Sequence, residues 1–183
     1  MLISLKLWIN YSSGIWGSSM GGGHVITIGG LDRLEGKIKC IVSQLGMMIT
    51  SDLLKHVGAP EFKEIDELER LRVTGKSEQP ITQDDKDILE GLDGYPNLVK
   101  LNRYRALDFA PLVLVPTLIL EASDEELWDR TQHGEKVYQT LQNNGVKTKY
   151  SLLNGKHYDG YSEDKSFNEG CSQAINWFKT HLL

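Results

Sequence analysis

Residues 17–21 read Gly-Ser-Ser-Met-Gly, within the longer stretch WGSSMGGGHVI of residues 16–26. The five residues match the pattern G-x-S-x-G, directly after a short apolar run and directly before a helical pattern. On such a turn the strained backbone projects a serine hydroxyl from the sheet edge, and the residues two before and two after it must be small. Gly17 and Gly21 meet this requirement around Ser19. We therefore predict Ser19 as a nucleophile.

The neighbouring serine does not fit the same turn. The positions two before and two after Ser18 are Trp16 and Met20, which are both large. A helix that begins after the turn directs its first backbone amides at the nucleophile. The backbone N–H of Met20 is therefore the candidate donor to an oxyanion.

Short apolar runs alternate with helical patterns along the rest of the chain. This alternation is typical of an α/β fold with a mostly parallel sheet and flanking helices. The strand candidates are residues 14–17, 37–45, 113–122 and 147–153, and the strand in 113–122 is expected to start near Pro116. An amphipathic helix is predicted over 125–144, with Gly145 as its end. The last helix has one apolar face: Phe167, Cys171, Ala174, Ile175, Phe178 and Leu182.

Residues 50–110 form a charged stretch without strand signals, in which glycine and proline separate short helical patterns. Two interpretations remain open. The stretch is either a solvated helical insertion or a lid over an active site, because long insertions in compact domains are often functional. We treat residues 1–183 as a single domain that contains this insertion.

A serine nucleophile needs a histidine base and an acid that orients the histidine. Of the five histidines, His157 alone lies in a loop just after a predicted strand. The acid should follow the strand that ends near Ala122, and we favour Asp124 because the first carboxylate after the strand stays near the sheet edge. Glu125 and Glu126 enter a predicted helix start, where acidic residues are common for dipole reasons alone. Both remain alternatives for the acid.

Three blocks of the sequence resemble the α/β-hydrolase superfamily. They are the serine turn of residues 16–26, the stretch PTLILEASDEELWD of residues 116–129, and GKHYDGY of residues 155–161 with a C-terminal WFKTHL after it. Within the superfamily they are most similar to the dienelactone-hydrolase-like and X-Pro-dipeptidyl-peptidase-like serine hydrolases. The resemblance covers almost all of residues 14–183, and the insertion matches only loosely.

This resemblance implies a catalytic triad of Ser19, Asp124 and His157. Ser19 would attack an ester, thioester or amide of a small-molecule acyl substrate and form an acyl-enzyme. His157 would take and return the proton, and Asp124 would hold the imidazole in the right tautomer. No metal and no organic cofactor is implied.

The resemblance also implies that the N-terminal part of the fold is missing. In that superfamily four strands and a helix precede the serine turn, and an early loop supplies a second oxyanion donor. Here about a dozen residues precede Gly14. We therefore expect the C-terminal half of an α/β-hydrolase fold, with one oxyanion donor missing and the first strand at an uncovered sheet edge.

This expectation leads to a second hypothesis about function. The chain would be a non-catalytic hydrolase remnant, in which residues 2–9 pair as a substitute strand or a partner covers the edge. A homodimer that joins exposed sheet edges is one version of it.

Composition excludes several classes of partner. With 20 Lys+Arg against 25 Asp+Glu, the net charge of −5 gives no electrostatic reason to expect nucleic acid or an anionic membrane surface. The apolar run of residues 2–9 has no basic leader, and no stretch approaches the roughly 20 apolar residues of a membrane span. Cys40 and Cys171 have no metal-ligand spacing, so we expect reduced, buried thiols and a cytoplasmic protein.

Overall fold

The computed structural model describes residues 13–56, 103–161 and 165–182. The chain divides into two compact units, residues 1–49 with 105–183, and residues 50–104. The first unit contains a four-stranded parallel sheet of order β1-β2-β3-β4. The strands are β1 Ser13–Ser18, β2 Ile38–Gln44, β3 Thr117–Ala122 and β4 Thr148–Leu153. The predicted α/β class with a parallel sheet is confirmed.

Four α-helices lie within the described residues of the chain. They are α1 Met20–Leu31, α2 Thr50–His56, α3 Gly134–Asn143 and α4 Lys165–Leu182, of which α2 belongs to the second unit. Short 3-10 helices span Asp32–Leu34, Ala106–Leu112 and His157–Tyr161. Most of the predicted insertion, residues 57–102, lies outside the described residues, so its role as a helical insertion or a lid stays a prediction.

The sheet is covered by helices on both faces. Successive residues of a strand point to opposite faces, and β2 shows this directly. On one face Gly29 of α1 packs so closely on the Ile41 side chain that a Cβ at this position would overlap it. On the other face Val42 belongs to a buried cluster with Leu118, Leu120, Leu153 and Ala174 of α4. Because all four strands are parallel, their carboxyl ends meet at the same edge of the sheet. Ligand sites of such folds lie at this edge.

The apolar face predicted for α4 is only partly buried. Ala174 is fully buried in the core, whereas Ile175 and Leu182 are 49% and 38% exposed. These two side chains and Phe178 line an apolar surface groove. Phe178 also packs against Gly14 of β1, the edge strand of the sheet. Homodimer formation through this edge stays a prediction.

The third strand begins where the sequence indicates. Within the stretch 113–122 the strand was expected to start near Pro116, and pairing with β4 begins at Thr117. The N–H of Val113 donates to the Ala110 carbonyl, which closes the preceding 3-10 helix. Pro116 has no N–H, although its carbonyl accepts a hydrogen bond from Ile41. The apolar residues 113–116 therefore serve as a connection.

The helix predicted over 125–144 begins only at Gly134. In the preceding turns, acidic side chains take up backbone amides: Leu127 N–H donates to Glu125 Oε1, and Thr131 N–H donates to Asp129 Oδ1. Such local bonds compete with the helical hydrogen bonds. The predicted end is correct, because Gly145 has a φ of +72° just after α3.

Among residues 13–56, 103–161 and 165–182, no helix is both long and apolar enough to span a membrane. Both cysteines are free thiols. Cys40 is buried, as predicted, and Cys171 is only half-buried.

Candidate active site

Ser19 lies on a sharp turn between β1 and α1. Its φ of 53° and ψ of −119° are rare for a residue with a side chain and store backbone strain. The Ser19 N–H donates to the Gln44 carbonyl at 3.0 Å, and the Ser19 carbonyl accepts from the Met47 N–H at 3.0 Å. These two bonds to the end of β2 and the loop after it hold the strained turn in place.

The two glycines around Ser19 are not equivalent. A Cβ at Gly17 would overlap the Gly21 carbonyl and lie 2.9 Å from a methyl carbon of Val25. A Cβ at Gly21 would meet nothing within 4 Å. The requirement for a small residue is therefore met at Gly17. The prediction that Gly21 must also be small is wrong, because the space beside its own α-carbon is open.

His157 follows β4 and faces Ser19. Its Nε2 atom lies 3.1 Å from Ser19 Oγ. Its backbone N–H donates to Glu126 Oε2 at 3.0 Å. This hydrogen bond is the largest contribution to the lowered pKa of Glu126, because it stabilises the carboxylate form. Glu126, one of the alternative acids, therefore supports the backbone of His157 and leaves the imidazole to another residue.

The acid that contacts the imidazole is Glu125. His157 Nδ1 lies 2.9 Å from Glu125 Oε2, and the two side chains are only 2% and 1% exposed. With the proton on Nδ1, the imidazole donates to Glu125 and its Nε2 accepts from the Ser19 hydroxyl. Ser19, His157 and Glu125 thus form one continuous hydrogen-bonded chain.

The expectation that Asp124 orients His157 is corrected by this geometry. Both imidazole nitrogens are occupied by Glu125 and Ser19, and Asp124 is exposed. The Asp124 N–H donates to the Gly155 carbonyl at 2.9 Å, and its carboxylate accepts from Ser123 Oγ. The chain stays in a turn after β3, so the second carboxylate after the strand faces the imidazole and the first faces solvent.

A buried aromatic stack lies behind the imidazole. Trp128 meets His157 edge-on, with ring centroids 4.8 Å apart, and stacks on His133 at 5.3 Å. His133 is fully buried, and its Nδ1 accepts a 2.9 Å hydrogen bond from the Met48 N–H. The loop after β2 thus bonds to both sides of the site: Met47 bonds to Ser19, and Met48 bonds to His133, whose ring stacks on Trp128 next to His157. No local sequence pattern identifies this role of His133, because it depends on contacts between distant segments.

The rings of Tyr158 and Tyr161 pack against the buried ring of His157. Their ring centroids lie 5.3 Å and 5.8 Å from that of His157. Ser18 Oγ donates to Tyr161 Oη at 3.0 Å, which connects the serine turn to the 3-10 helix after β4. This pair of tyrosines, which we call the aromatic rim, was not predicted.

Met20 is the first residue of α1, so its N–H has no carbonyl partner within the helix. That position suits the predicted role as oxyanion donor, which stays a prediction. Within the described parts of the chain, no group of three or more His, Cys, Asp or Glu side chains could hold a metal ion.

Comparisons with known proteins show which sequences this chain is similar to. No family model matches the chain. An uncharacterized 31.7 kDa protein in the traX-finO intergenic region of Escherichia coli is 27% identical over 195 residues. The alignment covers 94% of this chain and 66% of that relative, so the chain spans less than two thirds of it.

Solved structures share the fold at low identity. The α/β hydrolase GrgF from Penicillium sp. sh18 matches with a TM-score of 0.58 and 13% identity, over 92% of this chain and 63% of that one. The esterase Pf2001 of Pyrococcus furiosus matches with a TM-score of 0.56 and 14% identity, over 92% of this chain and 53% of that one.

Proposed function

We propose that this chain, whose fold is that of the α/β hydrolases, is a serine hydrolase that cleaves an ester, thioester or amide through an acyl-enzyme on Ser19. The observation that carries the proposal is the chain of contacts Ser19 Oγ–His157 Nε2 at 3.1 Å and His157 Nδ1–Glu125 Oε2 at 2.9 Å. A strained serine, a histidine and a buried carboxylate in this order are the parts of an activated nucleophile.

Each residue has a distinct role in the proposed reaction. Ser19 Oγ attacks the substrate carbonyl while His157 Nε2 takes the hydroxyl proton, and His157 then returns this proton to the leaving group. Glu125 keeps the proton of the imidazole on Nδ1 and stabilises the imidazolium that forms. The Met20 N–H donates to the developing oxyanion. Water, activated by His157, then hydrolyses the acyl-enzyme.

Within the α/β hydrolases we propose the dienelactone-hydrolase-like and X-Pro-dipeptidyl-peptidase-like serine hydrolases as the nearest group, on the sequence blocks around Ser19 and His157. The substrate is a small molecule with an activated carbonyl. The exposed aromatic rim of Tyr158 and Tyr161 beside His157 supports an apolar group next to that carbonyl.

The test is covalent labelling of the purified, folded protein with a fluorophosphonate probe, read by intact mass. We expect one adduct, which is lost in Ser19→Ala and His157→Ala. The matched controls are Ser18→Ala, one residue away, and His24→Ala on the exposed side of α1. Both controls should still label.

Two outcomes contradict the proposal. One is the absence of any adduct from wild-type protein that unfolds cooperatively, which would favour the non-catalytic remnant. The other is an adduct that persists unchanged in Ser19→Ala, which would place the nucleophile elsewhere.

A further inference from the structure

A second buried carboxyl group, that of Glu121, interacts electrostatically with Glu125 of the Ser19–His157–Glu125 chain. Glu121 is a residue of β3, a central strand, and its side chain is fully buried. Neither of its carboxyl oxygens has a hydrogen-bond partner in the described parts of the chain. A buried carboxylate without partners is very unfavourable, whereas a protonated carboxyl group tolerates such a site much better.

The walls of the Glu121 site come from four segments. Gly134 at the start of α3 leaves the space that the carboxyl group fills, because a Cβ at this position would overlap it. The Gly46 amide approaches from the loop after β2 without reaching hydrogen-bond geometry. The charged and titratable groups that face it are Glu125 and Arg130 from the loop after β3, and Tyr150 from β4.

These surroundings raise the pKa of Glu121 well above its ordinary value of 4.5. Burial is the largest cause, and the negative charge of Glu125 acts in the same direction. The Gly46 amide and Arg130 lower the pKa by smaller amounts. Arg130 also donates a hydrogen bond to Tyr150 Oη at 3.3 Å, so its guanidinium group has a partner besides Glu121.

We propose that Glu121 is a positioning residue, which acts as a neutral carboxylic acid behind Glu125 and so leaves Glu125 as the one carboxylate that faces His157. The inference rests on the function proposed above. Two like charges in a buried site repel each other strongly, so the pair is stable with one negative charge. Because Glu125 holds the imidazole proton, the single charge must stay on Glu125.

Ionisation of Glu121 at alkaline pH would place a second negative charge in this site. The new carboxylate would repel Glu125 and attract the Gly46 amide and Arg130. The hydrogen bond between Glu125 and His157 Nδ1 would then lose its geometry. Glu121 never touches the substrate, so its effect on the reaction passes through Glu125.

The first experiment tests the protonation of Glu121 without any catalysis. Carboxyl resonances of 13C-labelled wild-type protein are followed from pH 4 to pH 9, and the Glu121 signal is assigned by its loss in Glu121→Gln. We expect this signal to keep the shift of a protonated acid through pH 7. A signal that titrates near pH 4.5 like an exposed glutamate would overturn the proposal.

The second experiment tests the link to the site. The rate of fluorophosphonate labelling is measured against pH for wild type, for Glu121→Gln and for the control Glu135→Gln, a partly exposed glutamate of α3. We expect the wild-type and control rates to fall at alkaline pH and the Glu121→Gln rate to stay high. Identical alkaline profiles for wild type and Glu121→Gln would overturn the positioning role.

The design separates this proposal from the function on which it rests. If wild-type protein does not label at all, the proposed function fails, and the His157 Nδ1 proton resonance replaces the labelling rate. In that case we expect the Nδ1 proton signal of wild type to be lost at alkaline pH while that of Glu121→Gln persists. Should Glu121→Gln not fold, Glu121→Met is the second neutral variant. If wild type and the neutral Glu121 variant lose the His157 Nδ1 proton signal at the same pH, the inference is overturned.

Discussion

His157 Nδ1 and Glu125 Oε2 lie 2.9 Å apart, in a pair of side chains that solvent barely reaches. A hydrogen bond to a carboxylate is stronger out of water, so this contact favours the tautomer of the imidazole that carries its proton on Nδ1. It also decides between two adjacent carboxylates, because Asp124 lies on the solvent side of the same turn.

The choice between these two acids can be tested directly. Glu125→Gln keeps the size of the side chain but removes the charge that holds the Nδ1 proton. We expect the rate of labelling, and of hydrolysis of an activated ester such as p-nitrophenyl acetate, to fall by about 10³- to 10⁴-fold. Asp124→Asn is the matched control, and its rate should stay within about threefold of wild type. The reverse pattern would restore Asp124 as the acid.

The serine turn should tolerate an added methyl group at one glycine and reject it at the other. In Gly17→Ala the new Cβ overlaps the Gly21 carbonyl, so we expect about 1–3 kcal/mol of lost stability and loss of labelling. In Gly21→Ala the Cβ enters open space on a helix, and a gain of about 0.5–1 kcal/mol is expected. Chemical denaturation measures both values. Equal destabilisation by the two variants would contradict the asymmetry.

Removal of the His133 acceptor should weaken the support behind His157. His133→Phe keeps a ring against Trp128 but leaves the buried Met48 N–H without its acceptor, at a cost of about 1–3 kcal/mol. We expect a lower free energy of unfolding and slower labelling of Ser19. His24→Phe, a substitution on the exposed side of α1, is the control and should change neither quantity much. Unchanged stability in His133→Phe would show that the Met48 amide finds another acceptor.

The buried carboxyl of Glu121 predicts how stability depends on pH. In the unfolded chain Glu121 loses its proton near pH 4.5, whereas in the folded chain the raised pKa keeps the proton bound. The unfolded state therefore binds fewer protons above pH 4.5, and wild-type stability falls as pH rises toward the pKa of the folded state. Glu121→Gln lacks this loss. We expect the free energy of unfolding of Glu121→Gln, relative to wild type, to increase as the pH rises above 4.5.

The control for this pH dependence is again Glu135→Gln, whose carboxyl is partly exposed. Its stability relative to wild type should change little with pH. A flat difference for Glu121→Gln over the same range would mean that Glu121 titrates equally in the folded and unfolded chains.

Local patterns in the sequence were sufficient for the elements of the fold. β2 and β4 lie within one residue of their predicted starts and ends. β2 is buried at six of its seven positions, as a central strand of a parallel sheet requires, whereas β4 is an edge strand that was recognised by its alternating pattern. The turn around Ser19 was predictable because Gly17 must admit the Gly21 carbonyl. The site residues Ser19 and His157 lie within hydrogen-bond distance because both follow the carboxyl ends of parallel strands.

The sequence alone thus determined the α/β class, the order of the strands along the chain and the turn that presents Ser19, since each depends on neighbouring residues. Only the tertiary structure decided which carboxylate meets His157, and that the carboxyl group of Glu121 is buried without a hydrogen-bond partner in the described parts of the chain. Asp124, Glu125 and Glu126 have the same charge and lie in one turn, so their different roles depend on contacts with Gly155 and His157, about 30 residues further along the chain. Such long-range contacts leave no trace in the local pattern of charge and hydrophobicity.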